Sequence, residues 1–245
     1  MTAIVGVLCK DGVVIGSDSA TTFAAGPQRT IEQPSKKIRI LKDSAIIAGT
    51  GSVGLGQRFC HEIESRWDVV LPNPPTIIVN QLCAAAIGNF RSTGLAQFEY
   101  GALMAFFHSD KFHLCEFEVR SLQPEFKTDH LWYVSTGSGQ TIADPFLGFV
   151  RNIFWNNQQP DLKNGIFGTL WALQHTINVN PGGVNGPIQL SILSKNGDAV
   201  EAKILDDGEI DEHLEYVREF ENHLKDFKRK LTSAPKEIPK YDVEE

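Results

Sequence analysis

Four times along this chain, two short apolar runs stand either side of a tight polar turn. Ile4–Leu8 and Val13–Gly16 flank Lys10-Asp11-Gly12, and Lys36–Leu41 and Ala45–Ala48 flank Lys42-Asp43-Ser44. Leu103–Phe107 and Phe112–Val119 flank Ser109-Asp110-Lys111, and Ile188–Leu193 and Ala199–Leu205 flank Asn196-Gly197. β-branched and aromatic residues suit a pleated surface, and Asp-Gly or Asn-Gly supplies the positive φ that a tight hairpin needs. Each pair therefore predicts two antiparallel strands. A parallel sheet is excluded, because it needs a helical crossover between successive strands. Helical spacing comes instead in blocks of two. Gly51–Trp67 carries Leu55, Phe59 and Ile63 at intervals of four, and Thr76–Arg91 carries Ile78, Leu82, Ala86 and Phe90, with Pro72, Pro74 and Pro75 between them. A lone strand, Leu131–Ser135, precedes the second block, Gly139–Phe154 and Ile166–Ile177. Strands in hairpins and helices in blocks predict an α+β layered domain.

Residues 19–35, polar and holding Gly26, Pro27 and Pro34, read as a loop. No repeat or linker divides the core, so residues 2–205 form one domain. Beyond Asp206 the pattern changes. Ile210, Leu214, Val217, Phe220, Leu224, Phe227 and Leu231 step by three or four among charges. That is an amphipathic helix of about six turns, suited to docking on its own domain or on a sister subunit. Its polar face mixes both signs, which argues against a membrane surface. The tail of this 206–245 segment is expected to fray.

Composition excludes several classes. The chain has 245 residues, ordinary apolar and charged content, and a net charge of -7. Such a balance argues against nucleic-acid binding. No apolar run approaches the roughly 18 residues that span a bilayer. The first apolar stretch, Ala3 to Cys9, has no basic residues before it and does not read as a secretory signal, so a cytoplasmic location is expected. Cys9, Cys60, Cys83 and Cys115 are scattered without a C-x-x-C pair, which suits reduced thiols better than disulfides or zinc. No metal or cofactor is expected.

Thr2 follows Met1 directly and precedes the first strand. Its neighbour Met1 is removable on steric grounds, which would leave a threonine with a free α-amine of unperturbed pKa near ~7.7. Such a residue holds a nucleophile and a general base together. Four further residues stand at element ends: Asp18 after the first hairpin, Lys37 at the second pair, Gly49 closing that pair, and Ser138 between strand and helix. Singly, each has an ordinary role as turn cap, solvated charge, helix-entry turn or N-cap.

Together they carry a resemblance. Thr2-Ala-Ile-Val-Gly, Lys10-Asp-Gly-Val-Val-Ile-Gly-Ser-Asp18 with Ala20-Thr21-Thr22, Lys37-Ile-Arg-Ile-Leu, Ile46-Ile-Ala-Gly49 and Gly137-Ser138-Gly139 recur in order over about residues 2–143. The chain resembles the proteasome β-type N-terminal nucleophile hydrolases, particularly the bacterial HslV-like peptidases. The resemblance implies a four-layer αββα sandwich and a self-compartmentalising threonine endopeptidase. It implies a double-ring homo-oligomer that takes peptides or unfolded proteins, with an ATP-dependent unfoldase as a further partner. Thr2 would be the nucleophile, Lys37 the cation beside its hydroxyl, and Asp18 the partner of Lys37. The Gly49 N–H would face the oxyanion, and Ser138 would bind the Thr2 amine. Thr22, Arg39 and Ile47 would line the substrate pocket. The family's Asp-x-x-Ser-Gly segment corresponds to Asn178-Val179-Asn180-Pro181-Gly182-Gly183, which has no Asp. Asn178 or Asn180 would stand in as a hydrogen-bonding group without charge.

Two rival readings accompany this one. A ring-forming subunit needs the fold without the chemistry. Gly49, Gly51 and Gly54 spell G-x-G-x-x-G after a strand and before a helix, with Glu64 or Asp68 as the ribose acid of a dinucleotide site. No H-E-x-x-H or G-x-S-x-G motif occurs, and His108 and His113 read as surface residues.

Overall fold

A computed structural model describes residues 2–25, 28–180, 182–197 and 199–233. Met1, Gly26, Pro27, Pro181, Asp198 and residues 234–245 lie outside the described residues. The first hairpin is β1 (Ile4–Leu8) and β2 (Gly12–Ser17). A second follows in β3 (Ala20–Ala25) and β4 (Gln28–Pro34). Then come β5 (Ile38–Leu41), β6 (Ala45–Gly51) and the helices α1 (Val53–Val70) and α2 (Pro75–Arg91). β7 (Tyr100–His108), β8 (Lys111–Phe117), β9 (Pro124–Phe126) and β10 (Tyr133–Thr136) precede α3 (Gln140–Ile153) and α4 (Leu162–Val179). β11 (Gln189–Asn196), β12 (Ala199–Ile204) and α5 (Asp207–Ser233) complete the described elements.

The strands form two sheets of five, ordered β10-β1-β2-β11-β12 and β5-β6-β7-β8-β9, and β3 pairs with β4 as a separate ribbon. Alternation explains how both sheets are covered. On β6 and β7, Ile46, Ala48, Leu103 and Ala105 join the core shared with the first sheet. Their neighbours Ala45, Ile47, Met104 and Phe106 face the opposite way, into a second core with Phe59, Ile63 and Leu82 of α1 and α2. Successive side chains of a strand point to opposite faces, so one strand feeds two cores. β1 and β2 are buried at every position. One face of them meets the second sheet and the other meets α4. A strand covered on both sides reads as a continuous apolar run.

Two expectations are corrected. The segment at 19–35 is a hairpin, not a loop. Its apolar members Phe23 and Ile31 are 47% and 51% exposed, so no buried face imposes a period on the sequence. His108 and His113 are half-buried, and the His113 ring stacks on Phe106 with centroids 5.1 Å apart. The glycine pattern at Gly49, Gly51 and Gly54 does not open a dinucleotide site. β6 pairs antiparallel with both β5 and β7, and α1 leads into α2 where a parallel strand is required. Among the described residues no helix is long and apolar enough to cross a membrane, and no cluster of His, Cys, Asp and Glu could hold a metal ion. All four cysteines are free.

α5 begins with a reciprocal cap. The Asp206 carboxylate accepts from the Glu209 N–H at 2.9 Å, and Glu209 accepts from the Asp206 N–H at 3.0 Å. Ile210, Leu214 and Val217 are then buried in the core of the chain itself. Phe220 meets Trp171 of α4 edge-on at 5.1 Å, and the Trp171 indole N–H donates to Glu221 at 2.9 Å. Leu224 and Phe227, further along the same stripe, are exposed. The apolar stripe of α5 is therefore buried as far as Val217 and exposed at Leu224 and Phe227. Leu214→Ala should lower unfolding stability by about 2–4 kcal/mol through the cavity it leaves. Phe227→Ala should stay within about 0.5 kcal/mol. Urea unfolding of the two variants checks this, and equal losses would contradict the anchoring.

Candidate active site

Strand register brings the site together. β1 pairs with β2 and β10, and Ile4 lies opposite both Ser17 and Thr136. The residues just beyond that level are Thr2 and Ala3 on one strand, Asp18 on the second, and Gly137 and Ser138 on the third. Thr2 N donates to Ser138 Oγ at 3.0 Å, and Gly139 N donates to the Thr2 carbonyl at 3.0 Å. Ala3 N donates to Asp18 Oδ1 at 2.8 Å, and Asp18 N donates back to the Ala3 carbonyl at 3.1 Å. Gly137 has φ 91°, and a Cβ there would stand 2.4 Å from the Thr2 carbonyl oxygen. Only glycine meets both demands.

The second sheet delivers Lys37, the residue before β5. Its ammonium donates to Asp18 Oδ1 at 2.7 Å and to Thr2 Oγ1 at 3.1 Å. The Lys37 side chain is 7% exposed and that of Asp18 fully buried. Asp18 is saturated, because Oδ2 also accepts from Ala20 N at 3.1 Å and Asn185 N at 3.4 Å. Such a carboxylate is fixed in place and ready to hold a cation. Burial pushes the Lys37 pKa below its ordinary value, against the attraction of Asp18 and Glu32. Gly49, in β6, donates its N–H to the Lys37 carbonyl over a long 3.4 Å.

A cavity of about 360 Å³ opens beside Thr2 and is lined by Thr22, Lys37, Arg39, Ile47 and Gly49. Among the described residues Thr22 Oγ1 has no hydrogen-bond partner. Asn178 and Asn180 serve the end of α4 instead. Asn178 Oδ1 accepts from Gln174 at 2.9 Å, and Asn180 Oδ1 accepts from Gly182 N at 3.1 Å.

Several members of this site carry no sequence signal. Gln189 at the start of β11 accepts from Lys37 N at 3.0 Å and donates to the Ser35 carbonyl at 2.5 Å, gripping the approach to Lys37. Asn185 braces Asp18 from 167 residues away. Cys60 and Tyr100 line the cavity, and a Cβ on Gly49 would meet the Tyr100 hydroxyl at 2.5 Å. None belongs to a motif. The one usable hint is that Tyr100 opens a strand that must pair with the Gly49 strand.

Comparison with known families bears on this arrangement. A family model described as proteasome subunit matches residues 2–152. The chain belongs to the proteasome subunit family. No curated protein matches it. Solved structures agree over almost the whole chain. The Anbu (Gly-1) mutant from Hyphomicrobium sp. strain MC1 shares 18% identity at a TM-score of 0.69, over 98% of this chain and 100% of that one. Anbu from Yersinia bercovieri, described as an ancestral beta-subunit, shares 13% at 0.69, over 96% and 99%. A further Anbu structure from Hyphomicrobium sp. strain MC1 shares 17% at 0.70, over 97% and 99%. At such identities the likeness speaks for the fold, and this proteasome-family chain has an α+β proteasome-type fold.

Proposed function

We propose that this proteasome-family chain is a threonine endopeptidase acting through Thr2 once Met1 has been removed. One observation carries the reading: Lys37 Nζ bridges Thr2 Oγ1 and Asp18, while Ser138 holds the Thr2 nitrogen. In the free N-terminus the amine takes the hydroxyl proton as Oγ1 bonds to the substrate carbonyl carbon. The Lys37 ammonium favours the ionised oxygen. The Gly49 N–H, whose bond to the Lys37 carbonyl is long at 3.4 Å, would turn to donate to the developing oxyanion. The amine then passes its proton to the leaving nitrogen as the peptide C–N bond breaks. Water attacks the resulting ester, the amine again serves as base, and Thr2 is regenerated. Thr22, Arg39 and Ile47 would hold the substrate, and no metal or cofactor is called for. Asn178 or Asn180 would stand in, without charge, for the family's acidic residue that helps position the nucleophile.

In this reading residues 2–205 form the hydrolase unit, stacked as a four-layer αββα sandwich, and 206–245 add a helix and tail. The family's habit of ring assembly supports a double-ring homo-oligomer in the cytoplasm, taking peptides or unfolded proteins that an ATP-dependent unfoldase delivers. Intact mass and covalent capture test the chemistry together. The mature chain should lack the mass of one methionine residue, and a threonine-directed electrophile should add to the peptide that begins at Thr2. Retention of Met1 with no adduct would leave the non-catalytic ring subunit as the reading.

A further inference from the structure

We propose that the cavity beside Thr2 selects substrates with an acidic side chain, glutamate above all, on the residue whose carbonyl is attacked. The inference rests on the threonine-peptidase reading and adds a substrate class to it. The chain carries 30 acidic and 23 basic residues. Yet the cavity lining includes Lys36, Lys37 and Arg39 and not one Asp or Glu. Lys37 is committed to Asp18 and Thr2. Arg39 is not committed: among the described residues it makes no hydrogen bond or ion pair. Glu32 and Glu64 lie near enough to act on Lys37 and Cys60 but stand outside the lining, and Glu32 accepts from the Asn185 side chain at 3.2 Å.

The position of Arg39 suits a side chain rather than the reacting carbonyl. Arg39 lies opposite Ile47 in the β5–β6 register. Ile47 is two residues from Gly49, roughly 7 Å along a strand. A glutamate carboxylate would reach from the carbonyl at Gly49 towards Arg39. Its partners there would all be donors. A guanidinium has five N–H groups and no acceptor, and the buried Tyr100 hydroxyl stays protonated because burial raises its pKa. An ionised carboxylate is acceptor-only and matches that set. Ile47 and the neutral thiol of Cys60 give the methylenes an apolar wall. A lysine side chain would meet the like charge of Arg39, with no carboxylate in the lining itself.

The test uses the full mature chain and fluorogenic peptides that differ only at this residue, with Glu, Gln, Leu or Lys. The kcat/KM for Glu should exceed that for Gln by about tenfold or more, as expected for hydrogen bonds to a charged group. Arg39→Gln should bring the Glu to Gln ratio near one, and Arg39→Glu should favour Lys over Glu. Both readouts are ratios on one enzyme sample, so a variant that folds only in part still reports. Cleavage that depends on Thr2 but prefers Leu or Lys, or a Glu preference that survives Arg39→Gln, would overturn the acidic selectivity and leave the peptidase standing. Failure to cleave any peptide would overturn both.

Discussion

Thr2→Ala should abolish peptide hydrolysis, with kcat down on the order of 10⁴-fold or more, the scale seen when a covalent nucleophile is removed. The substitution deletes Oγ1 and leaves the backbone bonds from Thr2 N to Ser138 and from Gly139 N to the Thr2 carbonyl. The fold and assembly should therefore survive, and elution volume on a sizing column checks that alongside turnover. Thr2→Ser keeps both hydroxyl and amine and should retain measurable rate. Alanine activity equal to wild type would remove Thr2 from the chemistry.

Lys37→Arg should cost about 10²- to 10³-fold in kcat, comparable to losing one preorganised donor at a developing charge. Arginine keeps the charge, but its planar fork does not replace a compact ammonium held between Asp18 Oδ1 and Thr2 Oγ1 at 2.7 and 3.1 Å. The pH profile tests the same group independently. Burial, opposed by Asp18, sets the Lys37 pKa below an ordinary lysine's. The mechanism needs the cation, so activity is present below that lowered value and lost as pH rises through it. The alkaline limb should thus fall earlier than a solvated lysine would place it. In Lys37→Arg the residual activity should lose that limb, because guanidinium stays protonated. Stability runs the other way. Between the folded and unfolded pKa values the unfolded chain binds more protons, so this site weakens the fold at lower pH and relaxes as pH rises through that window. A wild-type rate in Lys37→Arg, or an unchanged alkaline limb, would show that Lys37 is a bystander.

How much was legible beforehand follows the range of the forces involved. The hairpins at Asp11-Gly12 and Asn196-Gly197 and the helices at 53–70 and 75–91 are local events, set by turn chemistry and spacing within one or two turns of chain. The ribbon of β3 and β4 was not legible, because exposed strands carry no apolar alternation. The short β9 is three residues at a sheet edge, too brief for any pattern. The amphipathic stripe of α5 was plain, but two partner surfaces were compatible with it. Burial of Leu214 against the chain's own core, with Phe227 left exposed, divides the stripe in a way that spacing does not encode.

For the site, the sequence by itself determined the chemical types: a hydroxyl next to the first residue, a carboxylate, a lysine, a glycine at a strand end and a serine at a helix entry. It also determined the hairpins that carry them. Only the tertiary structure decided that Lys37 meets Thr2 across 35 positions and Ser138 meets it across 136. It alone brought Tyr100, Cys60, Gln189 and Asn185 to the same place. Propensity and turn geometry act over a few residues. Convergence of distant side chains depends on the pairing register of β1 with β2 and β10, and on how the two sheets pack, which no short segment specifies.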